Sequence, residues 1–72
     1  MEAMMNRKLV SSSNIESVGY ENGTLEIAFI DGGIYQYLNV PEGVYSGLMA
    51  ASSKGRYLHD YIKDHYRTIR VA

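Results

Sequence analysis

The chain has 72 residues, a formal net charge of −1, one proline and no cysteine. That length makes one small domain, which buries only about 60–65% of its unfolded surface and so needs nearly every large apolar residue for its core. The composition excludes a disulfide framework and thiolate chemistry, and no apolar run approaches the ~18 residues of a membrane span.

In chain order, residues 1–10 read as a flexible N-terminal extension. No apolar stretch of suitable length follows Arg7 and Lys8, so the segment does not have the form of a signal peptide. The single domain is expected over residues 11–72. Ser11-Ser12-Ser13-Asn14 is a polar approach to a first strand over residues 15–20, with Val18 and Tyr20 on one side. Asn22-Gly23 tolerates the positive φ angles of a tight hairpin. The next strand is the clearest: Leu25, Ile27 and Phe29 alternate with Glu26 and Ala28. Asp31-Gly32-Gly33 is a second turn, followed by a third strand over residues 34–40. Both connections are too short for a parallel crossover, so the three strands form an antiparallel meander.

The second turn decides where Tyr35 and Tyr37 go. They are two apart and share a face of their strand. A two-residue loop, which Asp-Gly and Gly-Gly favour, sends them to the face of Glu26 and Ala28. A three-residue loop puts them with Leu25, Ile27 and Phe29, because a one-residue slip exchanges the faces. The two-residue loop is the expectation.

Pro41 suits a helix start, where its missing N–H costs nothing, and Glu42 favours the same end. Val44, Leu48 and Ala51 form a stripe with Tyr45 and Met49 beside it, and Gly47 permits close approach. Ser52-Ser53 ends this helix and caps a second. There Tyr57, Leu58, Tyr61, Ile62 and Tyr66 recur at three and four, while Arg56, Asp60, Lys63 and Arg67 line another face. Residues 68–71 alternate like a short tail strand. The expected fold is α+β: a three-stranded antiparallel meander packed on two helices, with a short C-terminal strand.

Charge is uneven along the chain. Residues 1–50 carry two basic against six acidic side chains (net −4), and residues 51–72 carry five against two (net +3). Such asymmetry fits either an anionic partner or two ordinary solvated faces. His59 and His65 are six apart, which is not a metal-ligand spacing on a helix. Neither a G-x-S-x-G elbow nor an S-x-x-K spacing occurs, and no cofactor motif is present, so an enzyme is not expected. Ser52-Ser53-Lys54-Gly55-Arg56 gathers hydroxyl and cationic donors suited to phosphate, without the spacing of a P-loop. Tyrosine rings stack on bases, so Tyr35 and Tyr37 beside a basic helix would suit single-stranded RNA, if they are not simply core.

Ser12-Ser13-Asn14-Ile15, Val18-Gly19-Tyr20, Gly33-Ile34-Tyr35-Gln36-Tyr37, Asn39-Val40-Pro41, Val44-Tyr45, Leu48-Met49-Ala50-Ala51 and Ser53-Lys54-Gly55-Arg56-Tyr57 occur in this order. Together they resemble the KTSC domain family over about residues 11–67. That family is named after the C-terminus of some lysyl-tRNA synthetases and also occurs as free-standing bacterial and phage proteins. The resemblance implies a domain without established activity, and its synthetase context implies RNA binding. Tyr35 and Tyr37, and Ser53, Lys54 and Gly55, are the positions that would carry it; Gln36 between the tyrosines is uncharged. The resulting expectation is a small nonenzymatic, cytoplasmic binding module for RNA or another phosphate-bearing ligand, using Tyr35, Tyr37, Ser53, Lys54, Arg56, Lys63 and Arg67. The alternatives are a protein-interaction or homo-oligomeric module, or a phage-type protein that sequesters a small nucleotide.

Overall fold

A computed structural model describes residues 5–72. The Asn-Gly turn forms as the sequence predicts: Asn22 and Gly23 take φ of 50° and 82° and join β2 (Ile15–Glu21) to β3 (Thr24–Phe29) as a two-residue hairpin. β4 (Ile34–Tyr37) follows, then helix α1 (Glu42–Ala50) and helix α2 (Lys54–Tyr57). α2 continues into one π-helical turn, Leu58–Ile62. Two further strands flank the meander: β1 (Lys8–Leu9) pairs with β2, and β5 (Thr68–Arg70) pairs with β4. The result is an α+β fold with a five-stranded antiparallel sheet in the order β1-β2-β3-β4-β5.

Three expectations need correction. Residues 8–9 belong to the sheet and not to a free extension; residues 1–4 lie outside the described residues. The second helical segment ends at Ile62, earlier than its three-and-four repeat suggested. Lys63 turns extended at ψ 130° and Asp64 takes φ 66°, so the chain can return to the sheet as β5. Arg67 therefore leaves the helical face of Arg56 and Asp60, and its carbonyl accepts from the Leu38 N–H at 2.9 Å.

The third correction concerns register. Leu25 faces Tyr37, Ile27 faces Tyr35 and Ala28 faces Ile34, and the Phe29 N–H donates to the Gly33 carbonyl at 3.1 Å. The loop thus has three residues, 30–32. A two-residue primed turn would need positive φ at its central positions, and neither Asp31, Gly32 nor Gly33 adopts it. The tyrosine pair consequently lies on the face of Leu25 and Ile27, beneath the helices.

That face holds the core. Ile15, Val18, Leu25, Ile27, Val40, Leu48 and Ile62 are fully buried, with Tyr37 and Leu58 nearly so. A register shift between Ile15 and Ser17 lets Ile15 and Val18, three positions apart, both reach it. Tyr20 stacks on Tyr45 with centroids 4.8 Å apart and planes 8° from parallel, and its hydroxyl donates to the Val40 carbonyl at 2.5 Å. Gly47 serves as the sequence indicated: a Cβ there would sit 2.2 Å from the Tyr57 hydroxyl.

The opposite face of the sheet is polar and partly covered. Residues 5–7 cross it over Gly19, where a Cβ would lie 2.6 Å from the Asn6 carbonyl oxygen. Arg7 donates to the buried carboxylate of Glu26 and, at 2.9 Å, to Ser17 Oγ. Gln36 Nε2 donates to the other Glu26 oxygen at 2.8 Å. Gln36, uncharged between the two tyrosines, is therefore a structural partner of β3.

Candidate nucleic-acid interface

Two clefts adjoin where the segment before β2 meets the start of α2. The first is polar, about 650 Å³, and lies between residues 11–14 and 52–56. Ser12 shapes one wall: its Oγ accepts from the backbone N–H groups of Asn14 and Ile15 at 3.3 and 3.2 Å and bonds Asn14 Oδ1 at 3.1 Å. Ser53 shapes the other by capping α2, its Oγ accepting from the Arg56 N–H at 3.3 Å. Lys54 is half-buried and its Nζ reaches the Ala51 carbonyl at 3.1 Å. The Arg56 side chain stands in solvent, 3.7 Å from Asp60. An exposed pair of that kind contributes little and leaves the guanidinium free to change partners.

The second cleft, about 460 Å³, has Phe29, Tyr35, Tyr37 and Leu58 as its apolar wall. His59, Lys63, Asp64 and Thr68 make its polar side, and Asn14 and Gly55 line both clefts. The junction is tight: a Cβ on Gly55 would lie 2.5 Å from Asn14 Oδ1. The glycine of the Ser-Lys-Gly segment thus brings the α2 backbone against Asn14, a requirement of close approach.

The tyrosines are not an exposed stacking platform, which corrects the reading of them as one. Tyr37 is only 6% exposed. Tyr35 is half-buried, with Phe29 edge-on at 5.7 Å and the Arg70 guanidinium over its ring at 5.6 Å. What the pair offers is a concave aromatic wall. Burial pushes the Tyr37 phenol above its ordinary value, and the nearby Tyr35 and Asp64 add to the rise. The fold therefore favours the neutral phenol. Its contribution to stability is full below about pH 10 and is lost as pH rises through the higher folded-state value. Denaturant midpoints are expected to fall more for wild type than for Tyr37→Phe as pH rises above about 10; parallel curves would refute this.

Of the residues singled out from sequence, Ser53, Lys54 and Arg56 meet in the polar cleft, and Tyr35, Tyr37 and Lys63 in the aromatic one. Arg67 lines neither. It lies just before β5, outside the helix that carries Arg56 and Lys54. Sequence reasoning missed Asn14, the serines beside it, Asp64, Thr68 and Arg70. The Ser-Ser-Asn run was the available signal for the first of these; the others depend on how the chain returns after Ile62. Among the described residues no group of three or more His, Cys, Asp or Glu side chains is placed to hold a metal, and no helix is long and apolar enough to cross a membrane.

Comparison with known proteins shows the family and agrees with the fold. The KTSC domain model matches residues 11–66. A solved KTSC domain protein from Yersinia pestis superimposes with a TM-score of 0.92 at 44% identity, covering 96% of this chain and all of that one. A Stutzerimonas stutzeri protein is 39% identical over 70 residues, 93% of this chain and 99% of its own length. A lysine–tRNA ligase from Nostoc is 40% identical over 57 residues, which are 76% of this chain and 10% of the ligase. The ordered serine, tyrosine and Ser-Lys-Gly segments that build the two clefts fall within the matched region, and the chain belongs to the KTSC domain family.

Proposed function

We propose that this protein is a nonenzymatic binding module for phosphate-bearing ligands, RNA foremost. The supporting observation is the meeting of hydroxyl and cationic side chains of residues 11–14 and 52–56 around one polar cleft, directly beside an aromatic one. Serine hydroxyls, Lys54 and Arg56 supply donors for phosphate oxygens. The aromatic wall supplies apolar surface for a base, approached at its rim and not stacked on a flat face. The match to a segment of a lysine–tRNA ligase is consistent with an RNA setting.

The test is titration with a single-stranded RNA at two salt concentrations. Each phosphate contact made by a cation adds about −0.7 to the slope of log affinity against log salt for single strands. The double variant Lys54→Ala/Arg56→Ala is expected to weaken binding and flatten that slope by about 0.7 for each phosphate the two cations hold. Salt-insensitive binding, or none, would reject the RNA reading.

Self-association is a second reading, favoured by the apolar edge of the sheet. Ile69 on β5 and Val71 just beyond it are 43% and 45% exposed, and an outer strand offers unpaired backbone groups to another chain. Sedimentation at several concentrations decides it: a monomer throughout would exclude this reading.

A further inference from the structure

We infer that the two clefts act as one site for a single nucleoside 5′-phosphate unit, with the base in the aromatic cleft and the phosphate in the polar one. This deepens the phosphate-binding reading and rests on it.

The clefts are adjacent: Asn14 and Gly55, packed against each other, line both. Their chemistry is divided as a nucleotide is. The polar cleft is walled by serines, Lys54 and Arg56 and has no acidic lining residue. The other cleft combines Phe29, Tyr35, Tyr37 and Leu58 with a carboxylate, Asp64, and a hydroxyl, Thr68. Such a rim can accept from and donate to the edge of a base while apolar side chains cover its face. Their sizes, about 460 and 650 Å³, lie within the range of small-ligand pockets of ~300–1,000 Å³. A run of several nucleotides would instead call for a continuous cationic groove. Arg67, which an extended helical stripe would have added to one, lines neither cleft.

Tyr37 gives this site a specific element. It is nearly buried, yet it lines the aromatic cleft together with Asp64. No polar side-chain atom of the described residues is both buried and unpartnered, and among those residues the Tyr37 hydroxyl has no hydrogen-bond partner. That hydroxyl therefore opens into the cleft, as a donor available to a ligand.

The shared chemistry could come from a free mononucleotide or from the phosphorylated end of an RNA strand. The experiment follows backbone amide resonances during titration with inorganic phosphate, adenosine, adenosine 5′-monophosphate and a 5′-phosphorylated RNA hexamer. Phosphate is expected to move amides of residues 12–14 and 53–56, adenosine those around Tyr35, Tyr37 and Thr68, and the mononucleotide both sets. Tyr37→Phe keeps the ring and removes the hydroxyl, and is expected to weaken mononucleotide binding about fivefold through one lost hydrogen bond. Gly55→Ala places a methyl group against Asn14 and is expected to weaken it as well, with an intact amide spectrum as the folding control. A hexamer that binds more tightly while moving only these two sets assigns the site to strand ends, and equal affinity assigns it to free nucleotide; a hexamer that also moves amides beyond both sets overturns the one-nucleotide site. If the mononucleotide moves only the polar set, as phosphate does, the inference falls and the phosphate reading stands. If none of the four probes moves either set, both fall.

Discussion

Tyr37→Ala is expected to remove most of the stability of this domain, while Tyr37→Phe leaves it folded. The ring is almost fully buried against Leu25, its cross-strand partner, in a core that contains few large side chains. Truncating a buried aromatic to alanine costs about 3–5 kcal/mol through lost transfer energy and the cavity left behind. A native domain of this size holds only roughly 4–11 kcal/mol in total. Thermal or urea unfolding monitored by circular dichroism measures the difference. A Tyr37→Ala protein with an unchanged midpoint would mean that the ring is a removable surface group, and the register of β3 against β4 would have to be reconsidered. The prediction also bears on function, because loss of ligand binding in Tyr37→Ala would report unfolding. Only the phenylalanine variant isolates the hydroxyl.

Arg7→Ala is expected to destabilise the domain by about 3 kcal/mol, although Arg7 precedes the region matched by the family model. The Arg7 and Glu26 side chains are 17% and 4% exposed. Removing the cation leaves a buried carboxylate with Gln36 and no counter-charge, and breaking one side of a buried pair typically costs ~3–5 kcal/mol. Arg7 keeps some contact with water, which places the estimate at the lower end. The double variant Arg7→Ala/Glu26→Gln is expected to regain at least half of the loss, since a neutral amide can still bond Gln36 without the penalty of an isolated charge. For a domain of this size each kcal/mol shifts the melting temperature by about 4–8 °C, so scanning calorimetry resolves all three proteins. A change of less than about 2 °C in Arg7→Ala would show that residues 5–7 lie on the sheet without holding it.

How much of this was legible beforehand differs from turn to turn. At Asn22-Gly23 the chemistry of two residues sufficed, because left-handed backbone at both positions selects one hairpin and therefore one register. At residues 30–33 the same kind of reasoning went astray. Asp-Gly-Gly accommodates loops of two or three residues, and local preference favoured the shorter one. The longer one formed, and with it Tyr37 entered the core opposite Leu25. In a chain with one phenylalanine and no tryptophan, burying that ring is worth more than a preferred turn. Arg7 gave no local sign of its role, since its partner Glu26 is 19 positions away. Likewise the repeat through Tyr66 was sound helical periodicity, yet the chain gains more by pairing Thr68–Arg70 with β4 than by another helical turn.

The sequence by itself determined the antiparallel meander, the first hairpin, the serine cap of α2, the close approach at Gly47 and the cluster of Ser53, Lys54 and Arg56. These follow from near neighbours: backbone conformation, side chain-to-backbone hydrogen bonds and apolar spacing. Only the tertiary structure decided that the tyrosines form a wall and not a platform, that Asn14 and Gly55 join two clefts, that Arg67 stands apart, and that Arg7 closes the far side of the sheet. Each of these depends on contacts between distant parts of the chain, where the free energy of burying one ring or pairing one charge exceeds the small preferences that local sequence expresses.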